Sequence, residues 1–215
     1  MSFFLHEQRY RDLSHALDRL ITICGAGALG ANLAESLARM GLRQLRVIDR
    51  DRIEAHNLST QPWTQQDVGA PKARVLATAL YRAVGARVDP RYVELTPANA
   101  ATLLGGSALV VDAFDNLPAR RAVAQAAQAL GLPCLHLALA TSGDYGCGLW
   151  DDAYHTEANT PALAATAPDT CDYPLTRPLA LLVAAAGAET LAAHLHDGSR
   201  RGFEVTLRDL RLGLA

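Results

Sequence analysis

The chain has 215 residues, half of them hydrophobic, enough for one α/β domain with a sizeable core and too few for two ordinary ones. Twenty basic against 22 acidic residues leave a formal charge of −2, which excludes the basic stripe of a nucleic-acid binder and the polybasic cluster of a membrane-surface protein. The opening MSFFLHEQRYRD reads as neither signal peptide nor membrane span, no later apolar run reaches about 18 residues, and a cytoplasmic protein is expected.

Residues 1–19 are polar and basic, with Arg9, Tyr10, Arg11 and Arg19 among them. They read either as a solvated leader helix or as an arm that lends an arginine to a phosphate site. The next stretch, Leu20 to Asp51, organises the rest. An apolar run (Leu20, Ile21, Ile23, Cys24) turns through Gly25, Gly27 and Gly30 and continues into Leu29, Leu33, Leu37 and Met40 at helical spacing. Gly41 ends that helix, and Leu45, Val47 and Ile48 form a second strand closing on Asp49, about twenty residues past the third glycine. Such a βαβ unit is built for a nucleotide. Its first glycine permits the tight turn, its second lets backbone approach a phosphate and its third lets helix pack on strand, while a carboxylate here accepts from ribose hydroxyls.

Residues 52–71 have no clean period and are broken by Pro62 and Pro71. A loop of that length at the carboxyl end of a strand is usually a working part. Lys72 then heads a helix through Val75, Leu76, Ala79 and Leu80. A cation there opposes the helix dipole unless an anion lies nearby, although a plain surface lysine is the alternative. A third strand is expected over Arg87 to Leu95, a short helix over Ala98 to Leu104, and a fourth strand over Ser107 to Val111 that runs into Asp112, Ala113, Phe114, Asp115 and Asn116. One of Asp115 and Asn116 can cap the helix Pro118 to Leu130, leaving the other to face solvent or metal.

Pro133 to Ala140 reads as a fifth strand, in which His136 is better explained as a core histidine than as a catalyst. A turn and strand follow over Thr141 to Trp150, then a long mobile crossover over 151–178, an apolar helix over Leu179 to His196, and a terminal strand or hairpin over Glu204 to Gly213. Cys24, Cys134, Cys147 and Cys171 are scattered without a C-x-x-C pair, so neither a disulfide framework nor structural zinc is expected.

Taken together in order, these motifs resemble the ThiF/MoeB/HesA superfamily of adenylating enzymes. The matching features are GAGALG with the DRD that ends strand two; Asn57, Leu58 and Gln61; Asp67 to Lys72; Asp112 to Asn116 with Arg120; and Cys171 before a helix with Ala188, Glu189 and Leu191. The resemblance implies a Rossmann-like, doubly wound, mostly parallel sheet ending in an antiparallel strand or hairpin, in one nucleotide-binding domain over residues 1–215. It implies ATP and Mg²⁺ as ligands, with Gly25, Gly27 and Gly30 lining the phosphate turn, Asp49 and Asp51 on the ribose side, Asn57 and Lys72 on the triphosphate, Asn116 beside them and Asp115 holding the metal. It further implies that the chain activates the C-terminal carboxylate of a ubiquitin-like or sulfur-carrier protein as an acyl-adenylate, and that it works as a homodimer. Relatives carry an arginine where this chain has Thr60, so Arg9 or Arg11 of the leader is expected to supply the missing charge. Cys171 stands where some relatives place a reactive cysteine, although Asp169 and Asp172 beside it would raise its pKa. Two alternatives stay open: a non-catalytic partner subunit, for which Thr60 is the best argument, and an NAD-dependent oxidoreductase, which the glycine turn and Asp49 would serve equally well.

Overall fold

The computed structural model describes residues 2–154 and 174–215. A short helix α1 (Leu5–Tyr10) and a 3-10 turn (Ser14–Ala16) lead into β1 (Ile21–Cys24), α2 (Gly30–Arg39) and β2 (Gln44–Ile48). Two 3-10 turns (Ala55–Ser59 and Gln65–Asp67) precede α3 (Lys72–Val84), β3 (Arg87–Arg91), α4 (Ala100–Leu104), β4 (Leu109–Asp112), α5 (Leu117–Leu130), β5 (Cys134–Leu139) and β6 (Tyr145–Trp150). The expected crossover over 151–178 lies largely outside the described residues, and beyond it come α6 (Arg177–Asp197), which begins inside that span, and the strands β7 (Phe203–Thr206) and β8 (Arg211–Leu214).

All eight strands form one sheet in the order β3-β2-β1-β4-β5-β6-β7-β8. The first five run parallel and the last three antiparallel, β7 and β8 as a hairpin. Apolar side chains alternate between two layers, as they must where both faces of a parallel sheet are covered. Ile21, Ile23, Val47, Val111 and Leu137 pack with α2, α3 and α6. Cys24, Ile48, Val110 and Cys134 pack with α4 and α5. The two small cysteines are thus buried core residues, whose thiols burial pushes well above their ordinary pKa.

The chain departs from β1 toward β2 and β3 on one side and from β4 toward β5 on the other. The strand order therefore reverses between β1 and β4, whose carboxyl ends form the crevice where such sheets receive ligands. α6 is the one described helix long and apolar enough to cross a membrane by length and composition alone, with half of that window buried inside the fold. Its Leu179, Val183, Leu191 and Leu195 are core side chains. The leader is less solvated than its composition suggests. Leu13 and Ala16 are buried, because the turn that holds them folds back onto the end of α6, where His15 Nε2 meets the Leu195 carbonyl at 2.7 Å.

Candidate nucleotide site

The glycine turn sits at the switch point. Gly25 takes φ +99°, and a Cβ there would stand 2.9 Å from the Ala113 carbonyl oxygen at the end of β4, so only glycine lets the two strand ends approach. A Cβ on Gly30 would fall 1.9 Å from the Gly25 carbonyl oxygen, which fixes α2 hard against β1. Over Gly27 there is nothing within 4 Å. The turn is therefore closed on its strand side at Gly25 and Gly30 and open at Gly27, in front of the positive end of α2.

Asp49, immediately after β2, is buried and clamps this turn. Its Oδ2 accepts from the Ala26 N–H at 2.6 Å, and its Oδ1 accepts from the Asp51 N–H at 2.6 Å. Burial raises its pKa, with the Ala26 N–H and the Lys72 charge pulling the other way. A carboxylate has about four lone-pair positions, so two remain for hydroxyl donors. Asp51 points its exposed carboxylate at Lys72, whose Nζ lies 3.5 Å from Oδ2 although the lysine side chain is only 9% exposed. Lys72 is the first residue of α3, and its ammonium sits in the site rather than in bulk solvent.

The loop between β2 and α3 is held by paired backbone. The Ile53 N–H donates to the Ala70 carbonyl and the Gly69 N–H to the Ile53 carbonyl. Asn57 is buried in its first 3-10 turn, where its Oδ1 accepts from the Glu54 N–H at 3.0 Å. Farther on, Asn32 of α2 donates both to Ala28 O at 2.6 Å and to Thr60 O at 3.0 Å, tying the loop to the first turn of α2.

At the end of β4 the two candidate residues divide their roles. Asn116 caps α5, its Oδ1 accepting from the Ala119 N–H at 3.0 Å. Asp115 is exposed, and no described side chain pairs with it. Among the described residues no three His, Cys, Asp or Glu side chains come together to hold a metal ion. A divalent ion carried on a nucleotide needs less, because Mg²⁺ commonly takes one or two carboxylates and completes its shell with phosphate and water oxygens. Asp115 fits that requirement.

Beneath this rim lies a polar cluster that motif reading did not assemble. Asp112 and His136, paired in register on β4 and β5, are fully buried and meet at 2.9 Å between Oδ2 and Nδ1. Arg120 reaches the same carboxylate at 3.5 Å, donates to the Phe114 and Leu137 carbonyls, and donates through Nε to the Tyr154 hydroxyl at 3.0 Å. The Tyr154 ring stacks on His136 at 3.8 Å. Burial would raise the Asp112 pKa, but Arg120, His136 and the Phe114 N–H together hold it below the usual carboxylate range. Since an ionised carboxylate only accepts, His136 Nδ1 carries the proton, and its buried Nε2 has no hydrogen-bond partner among the described residues. His136 is thus a core residue satisfied on one nitrogen.

The structure brings Gly25, Gly27, Gly30, Asp49, Asp51, Asn57, Lys72, Asp115 and Asn116 to the carboxyl end of the sheet. Arg11 stands elsewhere. It pairs with Glu189 of α6, beside a groove lined by Glu7, Tyr10, Ser36, Arg39 and Met40. Those α2 residues lie at the far end of that helix from Gly30, roughly two turns or more along it. Cys171 lies outside the described residues.

A family model described as the ThiF family matches residues 3–174. The sulfur carrier protein adenylyltransferase of Thermus thermophilus is 40% identical over 116 residues, 53% of this chain and 42% of that protein. The SAMP-activating enzyme E1 of Haloferax volcanii is 35% identical over 126 residues, 57% of this chain and 46% of its own length. The chain therefore spans less than half of these curated relatives. Among solved structures, E. coli MccB with ATP superposes with a TM-score of 0.78 at 16% identity, covering 98% of this chain and 69% of that one. The E. coli tRNA N6-threonylcarbamoyladenosine dehydratase TcdA in complex with ATP gives 0.72 at 17%, covering 89% and 93%. At such identities the likeness is one of fold.

Proposed function

Because the chain belongs to the ThiF family, we propose that it is an ATP-dependent adenylyltransferase whose second substrate is the C-terminal carboxylate of a ubiquitin-like or sulfur-carrier protein. The observation that carries this reading is the arrangement at the sheet's carboxyl end. An open glycine turn at a helix N-terminus shares the switch point with a shielded ammonium, Lys72, and an exposed carboxylate, Asp115, with which no described side chain pairs. In the reaction, a carboxylate oxygen bonds to the ATP α-phosphorus. The bond from that phosphorus to the bridging oxygen of the β-phosphate breaks, and pyrophosphate leaves with the electron pair.

The nucleophile is already ionised at neutral pH, so no general base is needed and the barrier is charge repulsion and alignment. Backbone N–H groups around Gly27 and the Lys72 ammonium offset phosphate charge. Asp49 keeps the turn in shape and offers its remaining lone pairs to ribose beside Asp51, while Asn57 joins Lys72 on the triphosphate with Asn116 beside them. Asp115 would hold Mg²⁺, which when bound neutralises the polyphosphate and supports the leaving pyrophosphate. We place the whole of residues 1–215 in this one nucleotide-binding unit. The exposed Leu181 and Leu182 on the outer face of α6, an apolar surface without a described cover, support a homodimer.

ATP–pyrophosphate exchange, measured with candidate ubiquitin-like proteins, tests the reading. The wild-type chain should exchange in the presence of its acceptor, and Asp115→Ala should lose about 100-fold or more without unfolding. Full exchange by Asp115→Ala would remove that residue from the mechanism, and ATP binding without exchange, restored by a second homologue, would make the chain a non-catalytic subunit, as Thr60 suggests. A thermal-shift comparison of NAD⁺ with Mg·ATP separates the oxidoreductase alternative.

A further inference from the structure

The cations that the described residues bring to the site are already answered: the Lys72 ammonium faces Asp51, and Arg50 pairs with Asp51 and Glu94. ATP brings a polyphosphate of several negative charges. The two arginines nearest to hand in the motifs are both engaged: Arg120 is buried against Asp112, and Arg11 is paired with Glu189. A third arginine is placed differently. Arg177, the first residue of α6, is exposed, and its Nη1 lies 3.4 Å from the Gln61 carbonyl oxygen. Gln61 follows Thr60, whose own carbonyl is bonded to Asn32 on the first turn of α2. The Arg177 guanidinium is thus joined through one loop to the helix end that faces the open glycine. Among the described residues no carboxylate pairs with it, and a cation at this end of a 21-residue helix opposes the helix dipole. The fold gains little from an arginine here.

We infer that Arg177 contacts the phosphates of ATP beyond the α-phosphate and stabilises the departing pyrophosphate, supplying from α6 the charge that Thr60 does not provide from the loop. This rests on the adenylyltransferase reading. A planar guanidinium that uses one donor among the described residues suits phosphate oxygens, which it can grip in pairs. Positioned on the leaving side, it acts where negative charge develops as the bridging P–O bond breaks, and it leaves the α-phosphorus open to the incoming carboxylate.

The test compares affinities of the full chain for Mg·ATP and for AMP by competition against a fluorescent adenine nucleotide, with unliganded melting temperatures as control. Arg177→Ala should weaken ATP about tenfold or more and leave AMP unchanged. Arg177→Lys should recover part of the loss, and adding Thr60→Arg to Arg177→Ala should recover more by placing the charge on the adjoining loop. ATP affinity unchanged in Arg177→Ala would overturn the inference. Equal losses for ATP and AMP would also overturn it, since that pattern marks a structural effect. If the wild-type chain bound neither nucleotide, the adenylyltransferase reading itself would fall, a result visible before any variant is made.

Discussion

Two glycines three positions apart in one turn do opposite things, and the difference is physical space. Gly30 is required by packing, since its missing Cβ would overlap a backbone oxygen that cannot move without dislodging α2. Gly30→Ala should therefore cost about 3 kcal/mol or prevent folding, measured by urea unfolding. Gly27 faces open space, so Gly27→Ala should change stability by under about 1 kcal/mol while weakening Mg·ATP binding in the same preparation. A variant pair in which both lost folding alike would deny Gly27 its place over the phosphates. The three-glycine spacing named both positions, but only the folded chain distinguishes the steric one from the open one. Asp49 teaches a similar lesson. Its position in the motif pointed to ribose, whereas its nearest partners are the Ala26 and Asp51 N–H groups, so its first task is to hold the turn.

At the scale of elements, β4, β5 and α5 are joined by the Asp112–Arg120–His136 cluster, which fixes the segment that carries Asp115. The Asp112 carboxylate has its pKa depressed in the fold, so its contribution to stability is fully present above the unfolded value, near 3.8, and is lost as pH falls below that range. Asp112→Asn should cost about 3 kcal/mol at neutral pH, because it leaves the Arg120 charge buried and unanswered. Its melting temperature should also fall less steeply than that of the wild type between about pH 5 and pH 2. Parallel acid profiles for the two proteins would show that this pair does not carry the effect. The motif made Asp112 and Arg120 visible as sequence positions. His136 joined them only through strand register, a relation across 24 residues that no local pattern encodes.

The whole molecule is a sheet covered on one face by α2, α3 and α6 and on the other by α4 and α5, and the outer side of α6 is apolar at Leu181 and Leu182. If that face joins two copies, sedimentation equilibrium at micromolar concentration should report a dimer, and Leu182→Glu should shift it to monomer with its melting temperature nearly unchanged. A monomeric wild type would refute the homodimer. Periodicity and turn chemistry alone determined the βαβ unit and the strand ends that lead to Asp49 and Asp115, because each depends on residues close in the chain, while the C-terminal element reads as a strand or a hairpin and only the pairing of β7 with β8 decides between them. The partners of Arg11, Arg120 and Arg177 were decided only by tertiary structure. A long, flexible, charged side chain reaches whatever the fold brings near its root, and that neighbourhood is set by helices and strands far away in sequence.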